Sequence, residues 1–209
     1  MSNQFFKKSG PFNIDELLKM NDIINTSNLK NTKILDIKDL TIANEHNITF
    51  FHSKKYESIA SKTNASFCIT TKNLAHILPK TCLAIIVENV LIATAKITNT
   101  FYPDAVNDNF DQNISNIDET SLGKTVKHGK NVLVGRNVQV GKNCLIGHNS
   151  IIESNVVIGD YCSIGSNVII RNTIIKDNVS ILDGCVIGKK GFGFFPDKNK
   201  NFRYPHIGT

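Results

Sequence analysis

The residues able to do chemistry in this chain are few. Six histidines are present: His46, His52, His76, His128, His148 and His206. A histidine can act as a general base near neutral pH, and I-G-H-N (Ile146–Asn149) and the chain-end His206 invite that reading. No two histidines form a metal-binding pair at a recognised spacing, so no zinc site of the carbonic-anhydrase kind is expected. The cysteines are Cys68, Cys82, Cys144, Cys162 and Cys185, an odd number with no C-x-x-C. With no secretion signal at the N-terminus, reduced buried thiols in the cytoplasm are the expectation. Two aromatic stretches stand apart from the rest: I-T-F-F-H-S-K-K-Y (Ile48–Tyr56) and G-F-G-F-F-P-D (Gly191–Asp197).

What must position these residues is a repeat. From Leu122 to Gly188 the chain reads in sixes. The first slot falls at Val134, Val140, Ile146, Ile152, Ile158, Ile164 and Ile170; only His128 breaks its apolar character. One residue is then lost, and the frame resumes at Ile175, Ile181 and Ile187. The second slot is often Gly, the fourth mostly Asn, and the fifth small or β-branched. Gly and Asn tolerate the left-handed backbone that tight corners need. A branched apolar residue every sixth place lines one continuous core if three short strands make each turn of a solenoid, whereas an amphipathic helix needs a period near 3.6. Cys144 and Cys162 share the fifth slot and should stack as small corner residues.

Residues 1–102 are not repetitive. Ile14–Met20 reads as a helix with Asn13 as its cap. Ile34–Leu40, Ile48–Phe51, Ser66–Thr70 and Cys82–Val87 read as strands, the last a buried one. Lys54–Lys62 and Val90–Phe101 read as helices. This alternation argues for a small α/β domain. Residues 103–116, with Pro103 and the polar run Asn107–Asn116, are expected to be a linker, and 117–209 the coils. No apolar run approaches the roughly 18 residues of a membrane span. The net charge of +6 comes from scattered lysines. With no basic-aromatic motif beside it, nucleic acid is not the expected partner.

The repeat resembles the hexapeptide family of left-handed parallel β-helices, most of them homotrimeric acyltransferases. Together with Ile48–Tyr56, Phe101–Pro103 and Gly191–Asp197, the domain order resembles the UDP-3-O-(3-hydroxyacyl)glucosamine N-acyltransferases of lipid A biosynthesis. The resemblance implies an α/β uridine-binding domain followed by a left-handed parallel β-helix with three strands per coil. It implies that Phe50 and Tyr56 hold the uracil, a flat π face being suited to stacking on a base. Ser53 stands where the family usually has Asn. Gly191, Phe192, Gly193 and Phe194 would shape the cleft and the acyl or pantetheine path; Lys190 stands where an Asp usually precedes that turn. The implied reaction moves a 3-hydroxyacyl chain from acyl carrier protein, through its phosphopantetheine thioester, to the 2-amino group of the UDP-sugar, with no metal and no further cofactor. The family's base is a His well after the G-F-G-F turn, so it is expected beyond Thr209, and His148 lies on the wrong side of the turn. The chain end offers no helix to cover the last coil. The expectation is therefore a shortened family member, its β-helix incomplete at the C-terminal end, with little activity alone. The competing readings are a non-catalytic UDP-sugar-binding remnant and a hexapeptide acetyltransferase using acetyl-CoA.

Overall fold

The computed structural model describes residues 3–24, 29, 32–107, 109–196 and 201–207. Asp197 and Thr209 lie outside the described residues. The chain divides into two compact units, one drawn from Lys7–Val106 and Phe192–Pro205, the other from Met1–Phe6, Asn107–Gly191 and His206–Thr209.

The first unit is built on a four-stranded parallel sheet in chain order: Asp36–Ile37, Asn47–Phe51, Phe67–Thr70 and Leu83–Ile86. Helix α1 (Ile14–Met20) starts at Asn13, whose side chain accepts from the Asp15 amide at 3.2 Å. Helix α3 (Val90–Phe101) starts at Asn89, which accepts from the Ile92 amide at 3.1 Å. Both are N-caps of the usual kind, satisfying an amide that the helix leaves unpaired. The expected strand Ile34–Leu40 is split. Lys33–Ile34 pairs antiparallel with Phe12–Asn13, Asp36–Ile37 joins the parallel sheet, and Asp39 then turns the chain by accepting from the Thr41 amide at 2.8 Å. Asp36 is buried because its carboxylate is satisfied: the Tyr102 hydroxyl donates to it at 2.8 Å and Lys38 Nζ lies 2.9 Å away. The expected buried strand Cys82–Val87 is instead the edge strand Leu83–Ile86, with Leu83 and Ile86 exposed. It stands last in the sheet, so only one neighbour covers it. The expected helix Lys54–Lys62 is a 3-10 turn (Lys54–Tyr56) followed by the short helix α2 (Glu57–Ala60).

The second unit is a solenoid of two- and three-residue parallel strands in three sheets. One holds Lys127–His128, Leu145–Ile146, Ser163–Ile164 and Ser180–Ile181. The next holds Leu133–Gly135, Ile151–Ile152, Ile169–Ile170 and Val186–Ile187. The third holds Gln139–Val140, Val157–Ile158 and Ile174–Ile175. First-slot residues from Val134 to Ile181 form the core, with Val140 packed at its margin. Corners are turned at the fourth slot, where Asn131, Asn137, Asn143, Asn149, Asn155, Tyr161, Asn167, Asn172 and Asn178 all have φ between 49° and 65°.

Second-slot glycines serve a different purpose from the one their type suggests. Of them only Gly188 has positive φ. Gly129, Gly135, Gly141, Gly159 and Gly165 leave room for a third-slot side chain of the next coil, whereas Gly123 and Gly147 lie against backbone. A Cβ on Gly141 would lie 2.3 Å from Asp160 Oδ1, and one on Gly165 2.4 Å from Asp183 Oδ1. Those carboxylates accept the amides of Lys142 (2.8 Å) and Ser166 (2.6 Å) in the coil beneath. Ser154 and Ser166 accept from the amides of Arg136 and His148 in the same way. The third slots thus form ladders of side-chain caps that tie coil to coil.

Two expected boundaries differ. The segment read as a linker contains a 3-10 turn (Pro103–Ala105) and a strand (Ile114–Asn116) paired antiparallel with Leu133–Gly135, and Asp111 accepts the Ser154 amide at 2.7 Å. The segment after Gly191 does not continue the coils. Phe194–Pro196 and Asn201–Arg203 make an antiparallel hairpin grouped with the first unit, because the repeat signals stop at Gly188. No helix among the described residues is long and apolar enough to cross a membrane.

Candidate functional site

The strand Asn47–Phe51 alternates its side chains. Phe51 points into the core and is fully buried, so Phe50 and His52 share the opposite side. There they border a cavity of about 260 Å³. Tyr56, on the 3-10 turn, and Ile59, on α2, also line it, as do Asp39, Leu40 and Thr41 from the turn after Asp36–Ile37. The Phe50 and His52 rings are stacked, with centroids 6.4 Å apart and planes 25° apart. His52 and Tyr56 lie 5.6 Å apart at 49°. The walls are mostly apolar, with polar atoms on Asp39, Thr41, His52 and Tyr56. Such a cavity suits a flat ring that carries hydrogen-bonding edges.

The structure therefore brings Phe50 and Tyr56 to one cavity. Ser53 is used elsewhere: its Oγ accepts the Lys55 amide at 3.4 Å, capping the 3-10 turn, and it is not among the cavity's lining residues. The residues that sequence reasoning missed are His52 and the Asp39–Thr41 turn. The period-two alternation of the strand was the signal for His52, since it places His52 beside Phe50.

None of the G-F-G-F residues is among that cavity's lining residues. Phe192 is 94% exposed and Phe194 44%, their rings edge-to-face at 4.8 Å. Gly193 O accepts the Tyr204 amide at 2.8 Å, across the base of the hairpin. Gly191 lies against the His206 ring, which a Cβ would meet at 2.7 Å. Lys190 Nζ donates to the Asn107 carbonyl and sits 5.6 Å from the Phe6 ring centre.

His148, His128, Cys68 and Cys144 have structural surroundings. His148 Nδ1 accepts the Lys130 amide at 2.8 Å, so this ring is a third-slot cap like Asp160. His128 occupies its first slot with Nδ1 2.9 Å from the Gly129 carbonyl and Nε2 3.4 Å from Asp118. A hydrogen bond shared with Cys82, together with burial, pushes the Cys68 thiol far up, and burial raises Cys144. Neither is poised as a nucleophile, because the thiolate is the reactive form. Among the described residues no group of three or more His, Cys, Asp or Glu could hold a metal ion.

Residues 31–100 match the family described as UDP-3-O-(3-hydroxymyristoyl) glucosamine N-acyltransferase, LpxD, and residues 137–172 match the bacterial transferase hexapeptide (six repeats). UDP-3-O-acylglucosamine N-acyltransferase 2 of Legionella pneumophila (strain Paris) is 36% identical over 211 aligned residues, covering 100% of this chain and 62% of the relative. UDP-3-O-acylglucosamine N-acyltransferase of Rickettsia prowazekii (strain Madrid E) is 32% identical over 104 residues, covering 49% of this chain and 30% of the relative. The chain thus spans about three fifths of the Legionella protein's length.

Proposed function

The chain belongs to the UDP-3-O-acylglucosamine N-acyltransferase family, and we propose that it serves the N-acyl transfer of lipid A biosynthesis by binding the UDP-sugar acceptor. The observation that carries this reading is the aromatic cavity at Phe50 and Tyr56, inside the segment that matches the family. In the whole reaction the neutral 2-amino group of UDP-3-O-acylglucosamine attacks the thioester carbonyl of a 3-hydroxyacyl chain on acyl carrier protein. The C–N bond forms, the C–S bond breaks, and the phosphopantetheine thiol leaves. A base takes the amine proton, and N–H donors hold the oxyanion. Within this chain Phe50 and Tyr56 hold the uracil. The exposed rings of Phe192 and Phe194, between Gly191 and Gly193, offer an apolar surface to the acyl or pantetheine chain. The base is assigned to neither His148 nor His128: a ring nitrogen of His148 is occupied by an amide, and His128 sits in the coil wall. With His148 and His128 so held, the chain is proposed to bind the nucleotide sugar without turning it over.

The coil is read as left-handed and the assembly as a cytoplasmic homotrimer. A row of outward apolar residues on one sheet, Leu133, Ile151, Ile169 and Val186, supports an interface between copies. The test is calorimetric titration with UDP and UDP-N-acetylglucosamine, followed by incubation with 3-hydroxyacyl carrier protein and UDP-3-O-acylglucosamine, with products read by mass spectrometry. Binding without transfer is the expected result. Failure to bind any uridine nucleotide overturns the reading; acyl transfer by this chain overturns the claim that it does not turn over.

A further inference from the structure

The edge strand Leu83–Ile86 leaves a row of backbone groups unmet, and the residues around it say what meets them. Leu83 and Val87 donate their amides to the Ser66 and Thr70 carbonyls of the neighbouring strand, at 2.8 and 3.0 Å. Successive residues of a strand direct their backbone groups to alternate sides, so Cys82, Ala84 and Ile86 turn theirs away from the sheet. Among the described residues no strand pairs with that side. The Cys82 amide is used in a turn, donating to the Pro79 carbonyl at 2.9 Å, but the Cys82 carbonyl joins the row. Leu83 and Ile86 add exposed apolar side chains to the same edge. Proteins usually guard such an edge with a charge or a proline in the strand. Here L-A-I-I carries neither, and its charges stand outside it, Lys80 before and Glu88 after, both exposed.

We infer that this edge pairs antiparallel with the same edge of a second copy of the chain, about a two-fold axis at Ala84. Ala84 lies midway between Lys80 and Glu88, so this register sets Lys80 of each copy opposite Glu88 of the other. Every other antiparallel register opposes Lys80 or Glu88 to an uncharged residue or to His76, and a parallel one sets lysine against lysine. The backbone selects the same register. Ala84 meets Ala84, and Ile86 meets Cys82 of the other copy, so outward groups face outward groups. The Ala84 residues exchange both of their bonds, and each Ile86 amide donates to the other copy's Cys82 carbonyl. On the faces of the joined sheet, Leu83 lies beside the other copy's Ile85, apolar against apolar, and only the small Ala84 side chains meet at the axis. The contact is self-complementary, as a two-fold interface requires. It covers one short strand, so the association is weak.

The experiment is sedimentation equilibrium of the full chain over a range of concentration, comparing the parent with Lys80→Glu, Glu88→Lys and the double variant carrying both. Any assembly through the coils is common to all of them, so the readout is the further growth in mass with concentration. Each single change sets like charges opposite each other at both ends of the paired strands and should weaken association about tenfold. The double variant exchanges the charges and should return to within about threefold of the parent. Mixing the two single variants should give stronger association than either shows alone, because each then meets the opposite sign. In the parent, the Ala84 and Ile86 amides should exchange more slowly in concentrated than in dilute solution, while those of Leu83 and Val87 stay as they are. Single variants that associate as the parent does, or a mixture no heavier than its components, overturn the inference. Ala84 and Ile86 amides protected equally at every dilution, with no growth in mass, also overturn it and give the edge to another part of the same assembly.

Discussion

Asp111 is the most informative single residue to change in the coils. It lies in a stretch that reads as a linker, yet its carboxylate accepts the Ser154 amide at 2.7 Å through one oxygen and the Asn113 amide at 2.8 Å through the other. Burial alone would raise this carboxyl, but the hydrogen bonds from Ser154 and Asn113 outweigh burial and hold it below its ordinary value. A hydrogen bond to a charged acceptor contributes about 1.5–3 kcal/mol, and water replaces the local Asn113 contact at little cost. Asp111→Ala should therefore destabilise the unit by about 2 kcal/mol at neutral pH. At a slope near 2 kcal/mol/M this lowers a urea midpoint by about 1 M. The sign of the pH dependence follows from the lowered folded value. The unfolded chain takes up the proton first as pH falls, so the contribution of Asp111 is complete above about 3.9 and disappears as pH drops through the folded value. Urea titrations of parent and variant should thus converge in acid, and hydrogen exchange at the Ser154 amide should quicken in the variant at pH 7. A gap equally wide in acid, or no gap at neutral pH, refutes the account of Asp111 as a charged cap.

Other changes separate the roles of residues that look alike. Gly141→Ala places a methyl 2.3 Å from Asp160 Oδ1 and should cost about 2–3 kcal/mol in thermal or urea unfolding, through overpacking and a lost cap on Lys142. Gly184 has φ +74° and nothing within 4 Å of its missing Cβ, so Gly184→Asn should be neutral within about 0.5 kcal/mol, while Gly184→Val should cost about 1–2. His148→Ala removes the acceptor for the Lys130 amide and should cost about 1 kcal/mol in urea unfolding, leaving UDP affinity unchanged; His148→Asp should recover the stability. Ile158→Ala should cost about 2–5 kcal/mol, since Ile158 is 2% exposed among other first-slot side chains.

Much of the coil was legible because one physical demand, an apolar residue turned inward every sixth place, is written directly in residue types. Asn at the fourth slot likewise announced a left-handed corner, and the backbone bears that out at Asn131 and its successors. Gly at the second slot misled, because a glycine needed for space has the same letter as one needed for its dihedral. The slot's neighbour lies a coil away, and a one-dimensional pattern does not show it. In the α/β unit the caps Asn13 and Asn89 were local and readable, while the edge position of Leu83–Ile86 was not. An apolar run looks the same whether one neighbour covers it or two. The site was half legible for the same reason. Phe50 and Tyr56 stand out by type, whereas the diversion of Ser53 to a cap and the entry of Asp39 depend on turns that the spacing alone does not fix.

Three oddities of the repeat have one cause. Most coils stack eighteen residues apart, as Asn131 and Asn149 do, but after the slip the interval is seventeen, as between Asp160 and Asp177. The slip falls between Asn167 and Asn172, whose left-handed corners are five residues apart instead of six. The residue lost is the third-slot one that would have capped Ser154, and Asp111 supplies that cap from outside the coil. With no third-slot side chain overhead, the second slot beneath no longer requires Gly, and Glu153 occupies it. Burial raises the Glu153 carboxyl despite the attraction of Arg171, whose Nη2 lies 3.1 Å away, so the ion pair is tolerated at this place more than it drives folding. The dependence has a direction. Glu153 in a regular coil would collide with a cap, as a methyl on Gly141 would, and Asp111 would find the Ser154 amide already taken. The deletion must therefore be present for either residue to fit. A repeat that loses a residue survives when a neighbouring segment restores the missing hydrogen bond, since each coil is held by the one stacked on it.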